Sequence, residues 1–228
     1  GGRKLLEKLY SFMVEHKIKM GRDAFFDLLQ ANGLLVRRKK RRIFTTQSSH
    51  WYRKYPNKIK GLTPDRPNQL WVSDITYWKI ENGNVYISLI TDAFSRKIVG
   101  YHVADTLDAI ETVQALENAL KELKEKPTGL VHHSDRGLQY CSTAYVTILN
   151  DHDIEISMTE NGDPYENALA ERVNGILKEE YLYDYSVSTL NQARQVLDLV
   201  IVLYNEDRPH MSCNYKTPEF VHQNMRVE

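Results

Sequence analysis

Residues 70–78 of the chain read LWVSDITYW. Apolar and aromatic residues dominate it, which is typical of a buried β-strand. Asp74 lies in the middle of the predicted strand, where a carboxylate is unfavourable unless a partner offsets its charge. The stretch therefore predicts a core strand that carries a functional acid.

The residues after this strand alternate between strand and helix patterns. An Asn-Gly pair at 82–83 is a strong hairpin signal, so VYISLITDAF and KIVGYHVA are predicted as the second and third strands. The later elements are predicted as a helix over 107–124, a strand at 129–135, a helix over 142–150, a strand at 154–157, and helices over 167–182 and about 189–205. Three meandering strands followed by this alternation indicate an α/β fold of the RNase H-like type.

The chain before residue 61 differs from the rest in charge. The 228 residues contain 30 Lys and Arg and 30 Asp and Glu, but residues 1–60 hold 16 basic and 4 acidic side chains, and residues 61–228 hold 14 and 26. The net charges of the two parts are therefore +12 and −12. This division excludes a uniformly basic protein and indicates a basic arm for an anionic polymer, joined to an acidic body.

The basic part contains two predicted helices. Residues 3–15 and 22–31 each place apolar side chains at helical spacing around a tight link. A helix-turn-helix and an ordinary helical hairpin fit this spacing equally well.

A strongly basic stretch follows these helices. Residues 36–60 hold ten basic side chains and no acidic one, with Trp51, Tyr52 and Tyr55 among them. Each Lys or Arg can neutralise a phosphate, and the aromatic rings can stack on bases or sugars. The stretch therefore favours contact with nucleic acid over a solvated linker or a localisation signal.

Composition narrows the class of protein further. Hydrophobic residues make up 42% of the chain, which is enough to form a core. The chain has no apolar run of the roughly 18 residues that would span a membrane. Cys141 and Cys213 are its two cysteines and stand too far apart to indicate a metal-ligand pair, so we expect a reducing, cytoplasmic location.

Two further acids are expected to join Asp74. Asp135 ends the predicted fourth strand within HHSDRGLQY, and Glu171 lies near the start of the helix that begins NALAERVN. The first and fourth strands of an RNase H-like sheet are neighbours, so Asp74 and Asp135 can converge. Helical geometry places Asn167, Glu171, Asn174 and Lys178 on one face of that helix.

Three converging carboxylates suit metal-ion chemistry. They repel one another unless cations neutralise them, and hard oxygen ligands select Mg²⁺ or Mn²⁺. Two such ions can activate an attacking oxygen and stabilise a leaving oxygen in phosphodiester displacement. The sequence has no serine-centred elbow, P-loop lysine motif or catalytic-cysteine context, which argues against hydrolase, NTPase and thiol chemistry.

Several motifs together resemble those of a known family. The segments WVSDITYW and HSDRGLQY, the Asn167-Ala168 pair before Glu171, Lys178 seven residues later, and YNEDRPH at 204–210 are similar to motifs of DDE transposases. The resemblance is to the bacterial insertion-sequence-three family, whose core resembles retroviral integrase. The 35 residues between Asp135 and Glu171 match the spacing of that family. Glu166 and Cys213 depart from its usual pattern.

The resemblance implies a mechanism and its requirements. It implies metal-dependent cleavage at transposon ends and strand transfer by transesterification, with two Mg²⁺ or Mn²⁺ ions held by Asp74, Asp135 and Glu171. The expected partners are double-stranded DNA, as terminal inverted repeats and target, and at least one further copy of the chain, without a membrane. The expected location is the bacterial cytoplasm, in association with the nucleoid. An RNase H-like nuclease or resolvase without strand transfer, or a non-catalytic DNA-binding regulator, are the alternatives.

Roles for other residues complete these expectations. The predicted DNA contacts are Lys178, Asn167, Asn174, Arg37, Arg38, Lys39, Lys40, Arg41, Arg42, Arg53 and Lys54. His133, Arg208 and His210 are expected to support the site, by flanking it, by packing or by clamping the last helix or the DNA. Asp92 is interpreted as a structural acid of a turn.

These interpretations divide the chain into four parts. We expect a helix-turn-helix-like DNA-binding segment at 1–35, a basic linker contacting DNA at 36–66, a catalytic core at 67–185, and a C-terminal helix and tail at 186–228 that complete the core. The family usually carries a further DNA-binding and coiled-coil region upstream, which we expect this chain to lack.

Overall fold

The protein forms a mixed β-sheet with helices on both faces. The computed structural model describes residues 1–35, 49–123, 125–160 and 167–224. The strands are β1 (Leu70–Ile80), β2 (Gly83–Asp92), β3 (Ile98–Ala104), β4 (Val131–Ser134) and β5 (Glu155–Met158). Their order in the sheet is β3-β2-β1-β4-β5, with β1 to β3 antiparallel and β4 and β5 parallel to β1. This arrangement confirms the predicted RNase H-like fold.

Eight α-helices surround or precede the sheet in the described part of the chain. They are α1 (Gly2–Glu15), α2 (Arg22–Ala31), α3 (Ala109–Lys121), α4 (Leu138–Cys141), α5 (Thr143–Asp151), α6 (Ala168–Glu180), α7 (Leu190–Val202) and α8 (Pro218–Asn224). Short 3-10 turns occupy Leu182–Asp184 and Met211–Cys213, and a π-helical turn occupies Leu203–Asp207. Within this described part, no helix is both long and apolar enough to cross a membrane.

Local chemistry explains where several helices begin. α7 begins with a capping box, in which the Thr189 side chain accepts a hydrogen bond from the Gln192 backbone and the Gln192 side chain bonds back to the Thr189 backbone. Ser142 has an extended backbone and caps α5 by accepting a hydrogen bond from Tyr145 N. The helix predicted over 142–150 corresponds to α5. The extended backbone of Ser142 separates it from the preceding short helix, α4.

Strand alternation divides β1 between two cores. Trp71 and Ile75 pack with α3 and α5 on one face of the sheet, whereas Trp78 and Ile80 pack with α6 and α7 on the other. Because successive side chains point to opposite faces, Asp74 shares the α6 face with Trp78. The sheet therefore presents Asp74 to the helix that carries Glu171.

The first N-terminal helix, α1, contacts the C-terminal part of the chain through ion pairs. Lys4 lies 3.6 Å from Glu180 at the end of α6, and Lys8 lies 2.5 Å from Asp207. Arg208 binds Glu180 from the other side with two hydrogen bonds, of 2.7 and 2.9 Å. Both helices predicted in residues 1–35 are present, and ion pairs join α1 to the core. Their role as a helix-turn-helix stays a prediction.

Part of the predicted basic linker lies along the sheet edge. Met158 N donates a 3.3 Å hydrogen bond to Pro56 O, and Lys58 N donates one of 2.9 Å to Ser157 Oγ. The ammonium groups of Lys58 and Lys60 form ion pairs with Glu155 and Glu160. Residues 56–60 therefore follow β5, while the predicted DNA contacts at 37–42 lie outside the described residues.

Candidate active site

The sheet register brings Asp74 and Asp135 to the same level. β1 and β4 are parallel neighbours, and Val72 pairs with His133. Asp74 follows Val72 by two positions, and Asp135 follows His133 by two positions. Neighbouring strands run about 4.8 Å apart, so the two carboxylates leave the sheet side by side. Asp135 comes directly after the last residue of β4, where the chain turns towards α4.

Asp74 is hydrogen-bonded to α6, and the charges of Asp135 and Glu171 act on it. Asn174 Nδ2 donates a 2.7 Å hydrogen bond to Asp74 Oδ2. Burial raises the pKa of Asp74 to about 7, and the charges of Asp135 and Glu171 act in the same direction. The hydrogen bond from Asn174 opposes this rise because it favours the charged carboxylate. Both other acids thus act electrostatically on Asp74.

Asp135 is fixed by the tight turn that follows it. Its Oδ1 accepts a 2.8 Å hydrogen bond from Gly137 N. A Cβ atom at position 137 would come within 2.9 Å of that oxygen, so a glycine allows the close approach. The motif DRG therefore positions the Asp135 carboxylate with its own backbone.

The polar face of α6 contacts β1 along its length. Asn167 Nδ2 donates a 3.0 Å hydrogen bond to Ser73 O, and Lys178 Nζ donates one of 2.9 Å to Thr76 Oγ1. The Lys178 ammonium also lies 4.1 Å from the centroid of the Tyr77 ring. Asn167 and Asn174 are buried against the strand, so the DNA contacts predicted for them stay predictions.

Two amide oxygens in this contact lack a partner. Oδ1 of Asn167 and Oδ1 of Asn174 are buried and accept no hydrogen bond from the described residues. Asn174 already donates to Asp74, so its orphaned acceptor lies next to the paired aspartates. An unpaired buried acceptor is unfavourable, and an acceptor of this kind suits a cation or a water bound to one.

Glu171 occupies the first turn of α6 and is exposed. Across residues 1–35, 49–123, 125–160 and 167–224, no group of three or more His, Cys, Asp or Glu side chains is placed so that it could hold a metal ion. The structure thus brings Asp74 and Asp135 together and leaves Glu171 within electrostatic range of them.

The residues expected to support the site form internal contacts. His133 Nδ1 lies 2.9 Å from Ser157 Oγ on the neighbouring strand. Arg208 joins Glu180 to His210, whose Nε2 lies 2.8 Å from Arg208 Nη1. Burial lowers the pKa of His210 to about 3, and the Arg208 charge acts in the same direction. Arg208 and His210 therefore fasten the end of α6 to the C-terminal segment.

Asp92 has the structural role that the sequence suggested. It is fully buried at the end of β2. Its Oδ1 accepts hydrogen bonds from Ser95 N and Ser95 Oγ, at 2.7 and 2.6 Å, and its Oδ2 accepts one of 2.7 Å from Asn68 N. These bonds hold the β2–β3 turn and leave Asp92 outside the Asp74–Asp135 pair.

Sequence reasoning assigned no role to Tyr140 and Thr76. Burial raises the pKa of Tyr140, and the neighbouring Tyr145 and the charges of Asp74 and Asp135 act in the same direction. Thr76 receives the Lys178 hydrogen bond. The sequence signal for Tyr140 was its place in the HSDRGLQY motif. The signal for Thr76 was the strand alternation, which puts it on the same face of β1 as Asp74.

Comparison with known proteins agrees with this fold. The family model of the integrase core domain matches residues 64–164, and a second integrase core domain model matches residues 152–218. In fold, the chain is similar to the simian T-cell lymphotropic virus intasome, with a TM-score of 0.63, 19% identity, and coverage of 100% of this chain and 76% of that one. It is also similar to the HTLV-2 integrase catalytic core solved in complex with magnesium, with a TM-score of 0.55, 22% identity, and coverage of 70% and 98%.

Bacterial relatives are more similar in sequence. An uncharacterised 31 kDa protein of insertion element IS600 from Shigella sonnei is 34% identical over 205 residues, which are 89% of this chain and 75% of that protein. The transposase for IS629 from the same species is 33% identical over 78% of this chain and 60% of its own length. The transposase for IS904 from Lactococcus lactis is 28% identical over 94% and 92%.

An RNase H-like sheet with adjacent aspartates on β1 and after β4, matched by integrase core models, defines a polynucleotidyl transferase. Its relatives narrow that class to DNA transposition. The chain belongs to the DDE transposases of the insertion-sequence-three family.

Proposed function

We propose that Asp74, Asp135 and Glu171 bind two Mg²⁺ or Mn²⁺ ions, and that the enzyme uses this site to cut transposon ends and join them to target DNA. Cleavage by water would leave a 3′-hydroxyl, which then attacks a phosphodiester of the target by transesterification. The observation that carries this proposal is the side-by-side placement of Asp74 and Asp135, with Asp74 bonded to the helix that bears Glu171.

The donor set fits hard divalent cations. Burial raises the pKa of Asp74 to about 7, and the charges of Asp135 and Glu171 act in the same direction because they repel the Asp74 carboxylate. A bound cation would offset this repulsion between carboxylates. The orphaned Asn174 Oδ1 supplies a further oxygen at the same place. Bound there, two ions would activate the attacking oxygen and stabilise the leaving oxygen of an in-line displacement.

The protein's own residues would position these ligands. Asn174 holds Oδ2 of Asp74 and so would orient this carboxylate towards the ion. Gly137 N donates a hydrogen bond to Oδ1 of Asp135 and thereby fixes that carboxylate. Asn167 anchors the start of α6 to β1, which places Glu171 one turn further along the helix. Lys178 adds a cation on the same face, where we propose that it meets the DNA backbone.

The DNA substrates and the assembly also belong to this proposal. The substrates are double-stranded terminal inverted repeats and target DNA, bound partly by the basic residues 37–42 and by Arg53 and Lys54. Because two ends must be joined in one complex, the active form contains at least two copies of the chain. The enzyme would act on DNA at the nucleoid of the bacterial cytoplasm.

A strand-transfer assay tests the site directly. The full-length protein is given a pre-cleaved terminal oligonucleotide, target DNA and Mn²⁺. We expect joined products that disappear in Asp74→Asn, Asp135→Asn and Glu171→Gln variants but remain in Asp105→Asn, an exposed acid elsewhere. Cutting without joining would favour a nuclease, and DNA binding with neither reaction in assembled protein would favour a regulator. Full activity in Asp74→Asn would contradict the proposed metal site.

A further inference from the structure

Trp51 differs from the other tryptophans in its exposure. Trp71 and Trp78 are buried in the two cores, whereas 85% of the Trp51 surface is accessible to solvent. An exposed aromatic ring within a basic segment is a common feature of surfaces that bind single-stranded nucleic acid, where the ring stacks on a base.

The exposed ring is nevertheless held in place. It stacks on Tyr52, with 4.2 Å between ring centroids and 27° between the planes. Tyr52 is partly buried and packs against the core formed with α3 and α5. His50 contacts the Tyr52 ring by its edge, at 5.8 Å between centroids. Trp51 therefore presents one covered face and one open face on a supported stack.

This stack is joined to the active site. His50 Nε2 lies 2.9 Å from Arg136 O, and Arg136 is the residue directly after Asp135. The backbone that carries Asp135 is thus bonded to the segment that carries Trp51. A ligand on the open face of Trp51 would therefore contact a segment that is bonded to the turn after Asp135.

The charges around the stack suit a polyanion. The Arg53 guanidinium lies 5.0 Å from the centroid of the Tyr55 ring, and Lys54 is exposed next to it. Residues 49–60 contain no acidic side chain.

We propose that Trp51 is a stacking platform for one unpaired nucleobase of the DNA strand that enters the active site. This inference rests on the proposed function. A base inside a duplex is already stacked on both faces, so an aromatic platform selects a base that has left the helix. Stacking is tolerant of base identity, whereas the nearby cations hold the adjoining phosphates. Trp51 would thereby stabilise the separated strands next to Asp135.

Fluorescence of 2-aminopurine tests the platform without any catalysis. The probe replaces one base at a time near the terminus of a transposon-end DNA, and the full-length protein carries Asp74→Asn so that no reaction occurs. We expect strong quenching at one position, its loss in Trp51→Ala, and its retention in Trp51→Phe. The exposed aromatic Phe220 on α8 provides the control, because Phe220→Ala should leave the signal unchanged. Quenching that survives Trp51→Ala at every position would overturn the proposal.

A second measurement uses the catalytically intact protein. On fully paired ends, Trp51→Ala should lower the rate of strand transfer about tenfold, the size of effect that loss of one stacked base produces. Terminal mismatches that separate the strands beforehand should restore much of that rate. A failure of all strand transfer in otherwise unchanged protein would count against the proposed function and leave the quenching result intact. If Trp51→Ala instead changes subunit association and not quenching, Trp51 belongs to a protein interface.

Discussion

Asn174 Nδ2 donates a 2.7 Å hydrogen bond to Asp74 Oδ2, across the contact between α6 and β1. The same helix carries Glu171 one turn earlier and Lys178 one turn later. The position of Asp74 is therefore coupled to the position of the helix. Any displacement of α6 along β1 would move Glu171 away from the two aspartates that the sheet register brings together.

Removal of this hydrogen bond should impair the site without unfolding the core. In Asn174→Ala, we expect strand transfer to fall by about 10- to 100-fold, as is typical when a group that orients a metal ligand is lost. Asn174→Asp should be worse, because a fourth carboxylate would repel Asp74. Rates with purified variants measure the effect. Asn118→Ala removes an amide that bonds to Tyr101 O on the other face and should retain activity; an equal loss there would contradict the argument.

Lys178 is expected to contribute one ionic contact to DNA. Burial lowers the pKa of its ammonium while Asp74 opposes that change, and the group lies against Thr76 and Tyr77. If it also meets a phosphate, Lys178→Ala should reduce the slope of log affinity against log salt concentration by about 1. Titration of terminal DNA at several salt concentrations measures the slope. Lys79→Ala, at an exposed position of β1, is the matched control. An unchanged slope would assign Lys178 to the α6–β1 contact alone.

The sequence predicted the strands because their signals are local, and the RNase H-like succession of elements predicted that β1 and β4 are neighbours. The Asn-Gly pair marked the hairpin at Gly83, and the run of apolar residues around Asp74 marked a strand covered on both faces. Helical spacing also identified the polar face of α6 correctly. It could not show what that face meets, and in the structure Asn167 and Asn174 are bonded to β1.

Contacts between distant segments were beyond sequence reasoning. The basic composition of residues 36–60 indicated nucleic acid, but it gave no sign that residues 56–60 follow β5. These contacts use backbone atoms of Pro56 and Lys58, which carry no residue-specific pattern. For the same reason, the bond between His50 and the residue after Asp135 appeared only in the structure.

Residues 37–42 are predicted to supply nonspecific affinity for DNA. Replacement of all six Lys and Arg residues by Ala should weaken binding and flatten its salt dependence, because fewer counterions are released from the phosphates. Filter binding or fluorescence anisotropy between about 50 and 200 mM salt measures this change. The double variant Lys58→Ala, Lys60→Ala is the control, since these lysines already pair with Glu155 and Glu160. An equal salt slope in the 37–42 variant and wild type would refute the assignment.

Two glycines should respond to alanine in opposite directions. A Cβ at Gly100 on β3 would collide with Ala115 O and lie 2.5 Å from Ala119 Cβ, both on α3. Gly100→Ala should therefore destabilise the fold by about 1–3 kcal/mol or more. Gly175 lies within α6 with nothing inside 4 Å of its added Cβ, so Gly175→Ala should stabilise by about 0.5–1 kcal/mol. Urea denaturation measures both, and equal effects would show that α3 can move away from β3.

Glu180 should make stability depend on pH in the acid range. Burial alone would raise the pKa of this carboxyl, but the hydrogen bonds and charge of Arg208, with the charge of Lys4, lower it to about 2. A carboxyl whose pKa is lower in the folded state contributes stability above its unfolded pKa, near 4.5, and loses that contribution as the pH falls towards 2.

Comparison of two neighbouring glutamates isolates this effect. Between about pH 5 and 2, we expect wild-type protein to lose a few kcal/mol more of unfolding free energy than Glu180→Gln. Glu179→Gln removes the same charge one residue away and should follow the wild-type curve. Urea titrations across this pH range provide the free energies. Parallel curves for wild type and Glu180→Gln would mean that the Arg208 pair contributes no pH-dependent stability, and that α6 is held at this end by packing alone.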